Sequence, residues 1–296
     1  MNFYIFTNSY KDKNFSVTKK VLEFLRKKGA GIYLDKKSCP DFAELDLPYV
    51  AFSDDIPENI DFAVVIGGDG SILNASRRLY GKNIPIAGIN MGKVGYLAEL
   101  EVNECELLGT LFEDNYMDKV INDKRMMLEC SVIRNGQTVY SGVCLNEIVV
   151  AKGEVSRMID IDLVMDEKTL VSYQCDGVIA STPTGSTAYS MSAGGPVIDP
   201  KVECLTVIPL CPYLSINKGP IIFSKDSCIT LFYRSLRSNS AQLNLDGGES
   251  FKLCNGDEIR ISSAEFMAQL LRFKPNDFCN IFNTKLSHRA NELADR

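Results

Sequence analysis

The first residues able to do chemistry are Gly67-Gly68-Asp69-Gly70. Three glycines around one carboxylate let the backbone come close to a ligand and turn its N–H groups inward, which suits phosphate at the start of a helix. An aspartate among such amides would repel an anion unless it ligates a divalent cation or accepts a proton from a hydroxyl nucleophile. Phosphoryl transfer to an alcohol meets that condition. For the motif taken alone, the plainer account is a glycine turn with Asp69 as a local cap.

Three further blocks keep it company. Gly88-Ile89-Asn90-Met91-Gly92-Lys93-Val94-Gly95-Tyr96-Leu97 is a second glycine-rich turn, close to the dinucleotide fingerprint but with Asn90 where the second glycine belongs. Asn146-Glu147 sets a polar pair into an otherwise apolar stretch, where it reads either as a β-bulge or turn, or as the reader of an adenine or ribose edge. The densest block runs from Cys175 to Pro196. Thr182, Thr184, Ser186 and Thr187 are short neutral hydrogen-bonders, Gly185 permits close approach and Tyr189 offers a flat face, so a sugar or nucleotide pocket is economical; a Ser/Thr-rich surface loop is the alternative. No GxxxxGK[ST] occurs, which excludes a Walker-type ATP site.

The elements that must position these residues change character along the chain. Phe3–Phe6 reads as a strand, and Val17, Val21, Phe24 and Leu25 as a helix stopped by Gly29 and Gly31. Residues 61–66 form an apolar strand running into the glycine loop, residues 72–80 a helix with Ser71 as N-cap and Gly81 as its stop, and residues 84–89 a second buried strand. This βαβ rhythm predicts a parallel sheet with its ligand at the carboxyl ends of the strands. From Lys124 onward the texture is β: a hairpin of residues 127–134 and 139–145 about Asn135-Gly136, then strands near 159–165, 204–209, 228–233 and 258–261. We therefore expect an α/β domain over 1–123, a β-rich domain over 124–275, and a tail, 276–296, that packs as a helix on the first domain.

Composition narrows the function. The 296 residues carry a net charge of −6, which argues against a nucleic-acid backbone as partner. Forty-five per cent are hydrophobic, enough for a sizeable core, yet no window suits a membrane span or a signal peptide, so a cytoplasmic location is expected. Ten cysteines are scattered without a CxxC pair and read as reduced thiols. The sole histidine, His288, lies in a polar tail and reads as a surface residue, leaving little material for His-based catalysis or metal binding.

In order and approximate spacing, GGDGS, GINMGKVGYLAEL, LNEIVV and DGVIASTPTGSTAYSMSAGGPVIDP resemble the signature of the bacterial-type ATP-NAD kinase family, strongly over residues 61–200 and more weakly at 205–215 and Asp246-Gly247. The resemblance implies a parallel, Rossmann-like α/β domain followed by a β-rich one, and phosphorylation of the adenosine-ribose 2′-hydroxyl of NAD by ATP to give NADP. It also implies magnesium or another divalent metal and a homodimer or homotetramer. Carried over by position, Asp69 is the base, Gly70 lies against the substrate, and Gly67, Gly68, Gly70 and Ser71 form the ATP phosphate loop. Asn146 and Glu147 hold the adenosine, and Asp176 sits near the nicotinamide end. Thr184, Thr187, Ala188, Tyr189, Ser190 and Ser192 wall the dinucleotide, with Arg157 and Gln174 as outlying contacts; the metal ligands are not assigned. Three positions depart from the family pattern: Ser71 for the usual threonine, Gln174 for an arginine of some relatives, and Gly248 for the glutamine that commonly follows Asp-Gly.

Two other readings compete. Lipid kinases share the GGDG loop but should carry an apolar channel or basic membrane-facing patch in place of the other blocks. A dinucleotide sensor without turnover would keep the binding blocks and have no use for Asp69.

Overall fold

The computed structural model describes residues 1–38, 47–92, 95–153, 157–213, 217–234, 240–275, 278 and 282–283. The expectations for His288, Cys39, Cys279, Lys93, Val94, Ser215 and nearly all of the tail lie outside them. Contacts divide the chain into two units: Met1–Lys124 with everything from Ala268 onward, and Arg125–Met267. The boundary differs from the one expected at 275, because the strand Ala268–Arg272 joins the first sheet.

The first unit is built on β1 (Asn2–Thr7), β2 (Gly31–Asp35), β3 (Ala51–Ser53), β4 (Phe62–Gly67), β5 (Ile86–Asn90), β6 (Leu100–Glu101) and β7 (Ile121–Arg125). Its order is β3-β2-β1-β4-β5, then Ala268–Arg272, then β7, with β6 pairing β5. β1 pairs in parallel with both β2 and β4, so the order reverses there and the loops after β1 and β4 diverge to leave a crevice. β4 and β5 are buried at every position, as expected of strands inside a parallel sheet.

Helix α1 (Ser16–Lys27) buries Val17, Val21, Leu22 and Leu25 at helical spacing. Asp12 caps it, accepting the N–H groups of Val17 and Thr18 at 3.0 and 2.8 Å. Gly29 (φ 76°) takes the left-handed turn that ends α1, whereas Gly31, expected to share that stop, opens β2. Helix α2 (Asp69–Arg78) starts two residues before the expected Ser71 cap. Gly68 is the N-cap in an extended conformation, and Ser71 lies inside the helix.

The second unit comprises β8 (Leu128–Arg134), β9 (Gln137–Cys144), β10 (Glu147–Lys152), β11 (Ile159–Met165), β12 (Lys168–Cys175), β13 (Gly177–Ser181), β14 (Cys204–Leu210), β15 (Ile221–Ser224), β16 (Ile229–Arg234), β17 (Ala241–Leu245), β18 (Phe251–Leu253) and β19 (Glu258–Ser263). Two six-stranded sheets result, β15-β14-β13-β10-β17-β18 and β12-β11-β16-β19-β8-β9. Alternate residues of both, among them Leu128, Cys130, Val132, Ile148, Val150, Val178, Ala180, Leu231 and Tyr233, form one core. The hairpin turn has φ of 51° at Asn135 and 77° at Gly136, the signs a type I′ turn requires.

Candidate active site

In the first unit a cavity of 810 Å³ opens at the switch point, lined by Asn8, Lys11, Lys37, Ser38, Ser71 and Arg78 together with Gly68 and Gly70. Asn8 shapes the loop after β1, its carboxamide oxygen accepting the N–H groups of Tyr10 and Lys11 at 3.1 and 3.2 Å. That turn brings the Lys11 ammonium against two glycine turns. A Cβ added at Gly68 would lie 2.6 Å from Lys11 Nζ, and one at Gly92 3.5 Å from it.

Arg78 is locked on the same wall. Its two terminal nitrogens meet the two oxygens of Asp35 at 2.6 and 2.7 Å, and Tyr4 Oη donates to that carboxylate at 3.0 Å. Burial works against the Asp35 charge, but hydrogen bonds from Arg78 and Ser38 and the guanidinium charge outweigh it and hold the carboxyl below its usual range.

Asp69, at the first position of α2, does not reach into open space. Its carboxylate accepts the N–H groups of Tyr96 (2.7 Å), Leu97 (3.0 Å) and Ala98 (3.4 Å). Gly95 permits the approach, since a Cβ there would fall 2.4 Å from Asp69 Oδ1. The glycine-rich turn that resembled a dinucleotide fingerprint thus serves, at its described residues, to orient the aspartate. Arg272 braces the same loop from behind, donating to the Leu97 carbonyl at 2.8 Å and to Asp123 at 3.0 Å.

In the second unit β9 and β10 are joined through Leu145 and Asn146, and the turn after β13 folds back on them. Thr182 N–H donates to the Asn146 carbonyl at 2.8 Å and Thr182 Oγ1 to the Leu145 carbonyl at 2.6 Å, while Gly185 N–H donates to Thr182 Oγ1 at 3.0 Å. Ser186 Oγ donates to the Pro183 carbonyl and accepts from Ile198 N–H. Thr184 Oγ1 accepts from Arg125 at 3.3 Å, and Thr187 Oγ1 contacts the Thr184 carbonyl at 3.5 Å. The hydroxyls expected to wait for a ligand therefore mostly build the turn. Ser190 differs: its hydroxyl is fully buried and has no hydrogen-bond partner. Tyr189 exposes its ring, Ser192 is exposed and Ala188 half-buried.

Glu147 is 7% exposed, and its Oε2 is buried without a hydrogen-bond partner. Burial first, and the Asp246 charge second, push its carboxyl up to about 7, while a hydrogen bond from the Tyr189 backbone pulls it down. The folded state therefore binds the Glu147 proton more tightly than the unfolded chain. Stability from this group is present below about pH 4.5 and declines as pH rises to about 7, by an amount on the order of 3 kcal/mol. Urea titrations across that range should show Glu147→Gln flattening the decline; an unchanged slope would remove the group from the account.

The outlying residues stand apart from this cluster. Asp176 pairs with Lys152 at 2.7 Å, Gln174 is exposed with its amide 3.4 Å from Asp160, and Arg157 is exposed. Lys11 and Asn8 were missed in the sequence. The signal was there: a polar loop follows the first strand, next to the strand that feeds the glycine loop. Among the described residues no three carboxylate, thiol or imidazole groups converge in a way that could hold a metal ion. The described cysteines are free, and no described helix is long and apolar enough to cross a membrane.

A crevice at the switch point of a parallel sheet, with an ammonium facing two glycine turns, places the chain among nucleotide-handling α/β proteins. Comparison with known proteins makes this specific. The family model described as the ATP-NAD kinase N-terminal domain matches residues 3–116, and that for the ATP-NAD kinase C-terminal domain matches residues 145–273. The NAD kinase of Geotalea daltonii is 34% identical over 284 residues, covering 95% of this chain and 96% of that protein. That of Lachnospira eligens is 35% identical over 299 residues, covering 96% and 99%. An NAD kinase from Archaeoglobus fulgidus, solved in complex with ATP, superposes with a TM-score of 0.70 at 28% identity over 96% of this chain and 98% of that one. Yeast NADH kinase complexed with NADH shares the fold, with a TM-score of 0.83 at 23% identity over 97% and 87%. The chain belongs to the ATP-NAD kinase family, and it is a kinase.

Proposed function

We propose that this enzyme transfers the γ-phosphate of ATP to the 2′-hydroxyl of the adenosine ribose of NAD, giving NADP, with Asp69 accepting the hydroxyl proton. The observation that carries this is the Asp69 carboxylate, oriented by three backbone amides at the head of a helix beside a cationic cavity. Phosphoryl transfer depends on positioning and charge more than on covalent chemistry. The N–H groups at the start of α2 and the Lys11 ammonium are suited to the donor phosphates. Magnesium would enter with ATP, held mainly by phosphate oxygens.

Glu147, Asn146 and the exposed Tyr189 ring are suited to the adenosine of NAD, with Gly70, Thr184, Thr187, Ala188, Ser190 and Ser192 as further contacts. Arg157, Gln174 and Asp176 would touch the far end of the dinucleotide. A homo-oligomer in the cytoplasm completes the reading, supported by the resemblance to the family.

The test is turnover: purified protein with ATP, magnesium and NAD, the product read by an NADP-specific coupled enzyme. Product formation is expected; binding of NAD without product would favour the sensor. Replacing Lys11 by Met removes one charge-assisted contact to the donor, so KM for ATP should rise about 10- to 100-fold while the Kd for NAD stays put. An unchanged KM for ATP would detach Lys11 from the donor site.

A further inference from the structure

β17 ends in a turn that runs against ordinary backbone preference. Asp246 has φ of 50° and Gly247 φ of 67°. A left-handed aspartate is uncommon and persists where its surroundings hold it. Here the holding contacts are explicit. Asp246 Oδ1 accepts the N–H groups of Asn146 at 2.7 Å and Glu147 at 3.1 Å, Oδ2 accepts that of Leu145 at 2.8 Å, and Asp246 N–H donates to the Glu147 carbonyl at 3.0 Å. One side chain thus gathers the three consecutive amides of Leu145, Asn146 and Glu147, two of them on buried residues.

We propose that Asp246 is the positioning residue of the dinucleotide site: its carboxylate fixes the backbone from which Asn146 and Glu147 face their ligand. The inference rests on the assignment of Asn146 and Glu147 to NAD made above.

Burial is the first cause of the raised Glu147 carboxyl and the Asp246 charge the second, and the other groups around it add little. The 246–248 turn presents the Asp246 carboxylate; the facing strand presents Ser181, which is neutral; the start of the 189–192 helix presents the Tyr189 N–H. Cys144, three residues back, is fully buried, and burial raises its thiol far above the physiological range, so it is neutral too. No cation acts on Glu147 among the described groups. An ionised Glu147 accepts hydrogen bonds, and the hydroxyls of a ribose can donate them. NAD should therefore bind more tightly as pH rises through about 7.

Two variants separate geometry from charge. In Asp246→Asn the carboxamide NH₂ must face one of the three amides and the charge is gone; Asp246→Glu keeps the charge on a longer arm. The Kd for NAD is measured calorimetrically from pH 5.5 to 8.5, and the Glu147 carboxyl is titrated by ¹³C NMR without ligand, on variants shown to be folded by their thermal melts. Asp246→Asn should raise Kd at pH 8 by about tenfold and move both the binding midpoint and the NMR midpoint to lower pH by about one unit. Asp246→Glu should raise Kd while leaving the midpoints near those of the parent. An unchanged Kd in both variants, or an unmoved Glu147 midpoint in Asp246→Asn, would overturn the proposal. Failure of the parent protein to bind NAD would instead sink the dinucleotide assignment, and the ligand-free titration would still decide whether Asp246 governs Glu147.

Discussion

Asp69→Asn should lower kcat at least about 100-fold, the usual scale for loss of a positioned general base, while the Kd for NAD changes by less than about twofold. The substitution keeps shape but exchanges one acceptor oxygen for a donor. In the parent one oxygen takes the N–H group of Tyr96 and the other those of Leu97 and Ala98, so in either orientation the carboxamide turns its NH₂ toward a backbone amide. The cradle is then disturbed and no carboxylate is left to accept a proton; both cost turnover rather than NAD affinity. Steady-state kinetics beside calorimetry separate the two quantities. Turnover within about tenfold of the parent would give the proton to another group.

Gly185→Ala should be the most damaging single methyl in the second unit. An added Cβ would stand 2.2 Å from the Asn146 carbonyl oxygen, 2.6 Å from its carbon and 2.7 Å from its Cα, all backbone atoms that cannot swing aside. Overpacking of a tight interior costs about 1–3 kcal/mol, and this contact belongs at the upper end. Relief requires the 182–187 turn to lift off the Leu145–Asn146 backbone, breaking the Thr182 hydrogen bonds. Two effects should therefore appear together: a lower urea midpoint, and a Kd for NAD raised about tenfold or more in the protein that remains folded. A variant as stable as the parent, with unaltered NAD affinity, would show that the turn has room to shift.

Much of this arrangement was legible in the residues. An apolar run buried on both faces and ending in GGDG can hardly be other than a parallel strand feeding a loop, and Asn135-Gly136 announces its own hairpin through the two positive φ angles it alone tolerates well. The start of α2 was misplaced because serine is the stronger cap by side chain; here an extended glycine does that work with backbone alone. The partners of Asp69 had no signature, since they are amides 27 to 29 residues downstream and every residue type but proline carries one. The hydroxyls of Thr182 and Ser186 looked free for a ligand because sequence does not say which carbonyl a short side chain will find. Asp246 stood out only as half of a weak Asp-Gly echo. Its importance depends on β17 lying beside β10, a pairing between residues about 100 apart.

The place of Ala268–Arg272 in the first sheet bears on how the protein is born. The strand pairs with β5 through Leu270 and Ile86, and its last residue, Arg272, buttresses the loop whose amides orient Asp69. A ribosome that has finished residue 124 must still make all of Arg125–Met267 before that strand emerges, on the order of ten seconds at about 5–20 residues per second. Throughout that interval the nascent first unit lacks an interior strand, and its Asp69 lacks a braced cradle, while the second unit, continuous in sequence, is free to fold. Completion of the loop that orients Asp69 thus waits until the whole second unit has been synthesised.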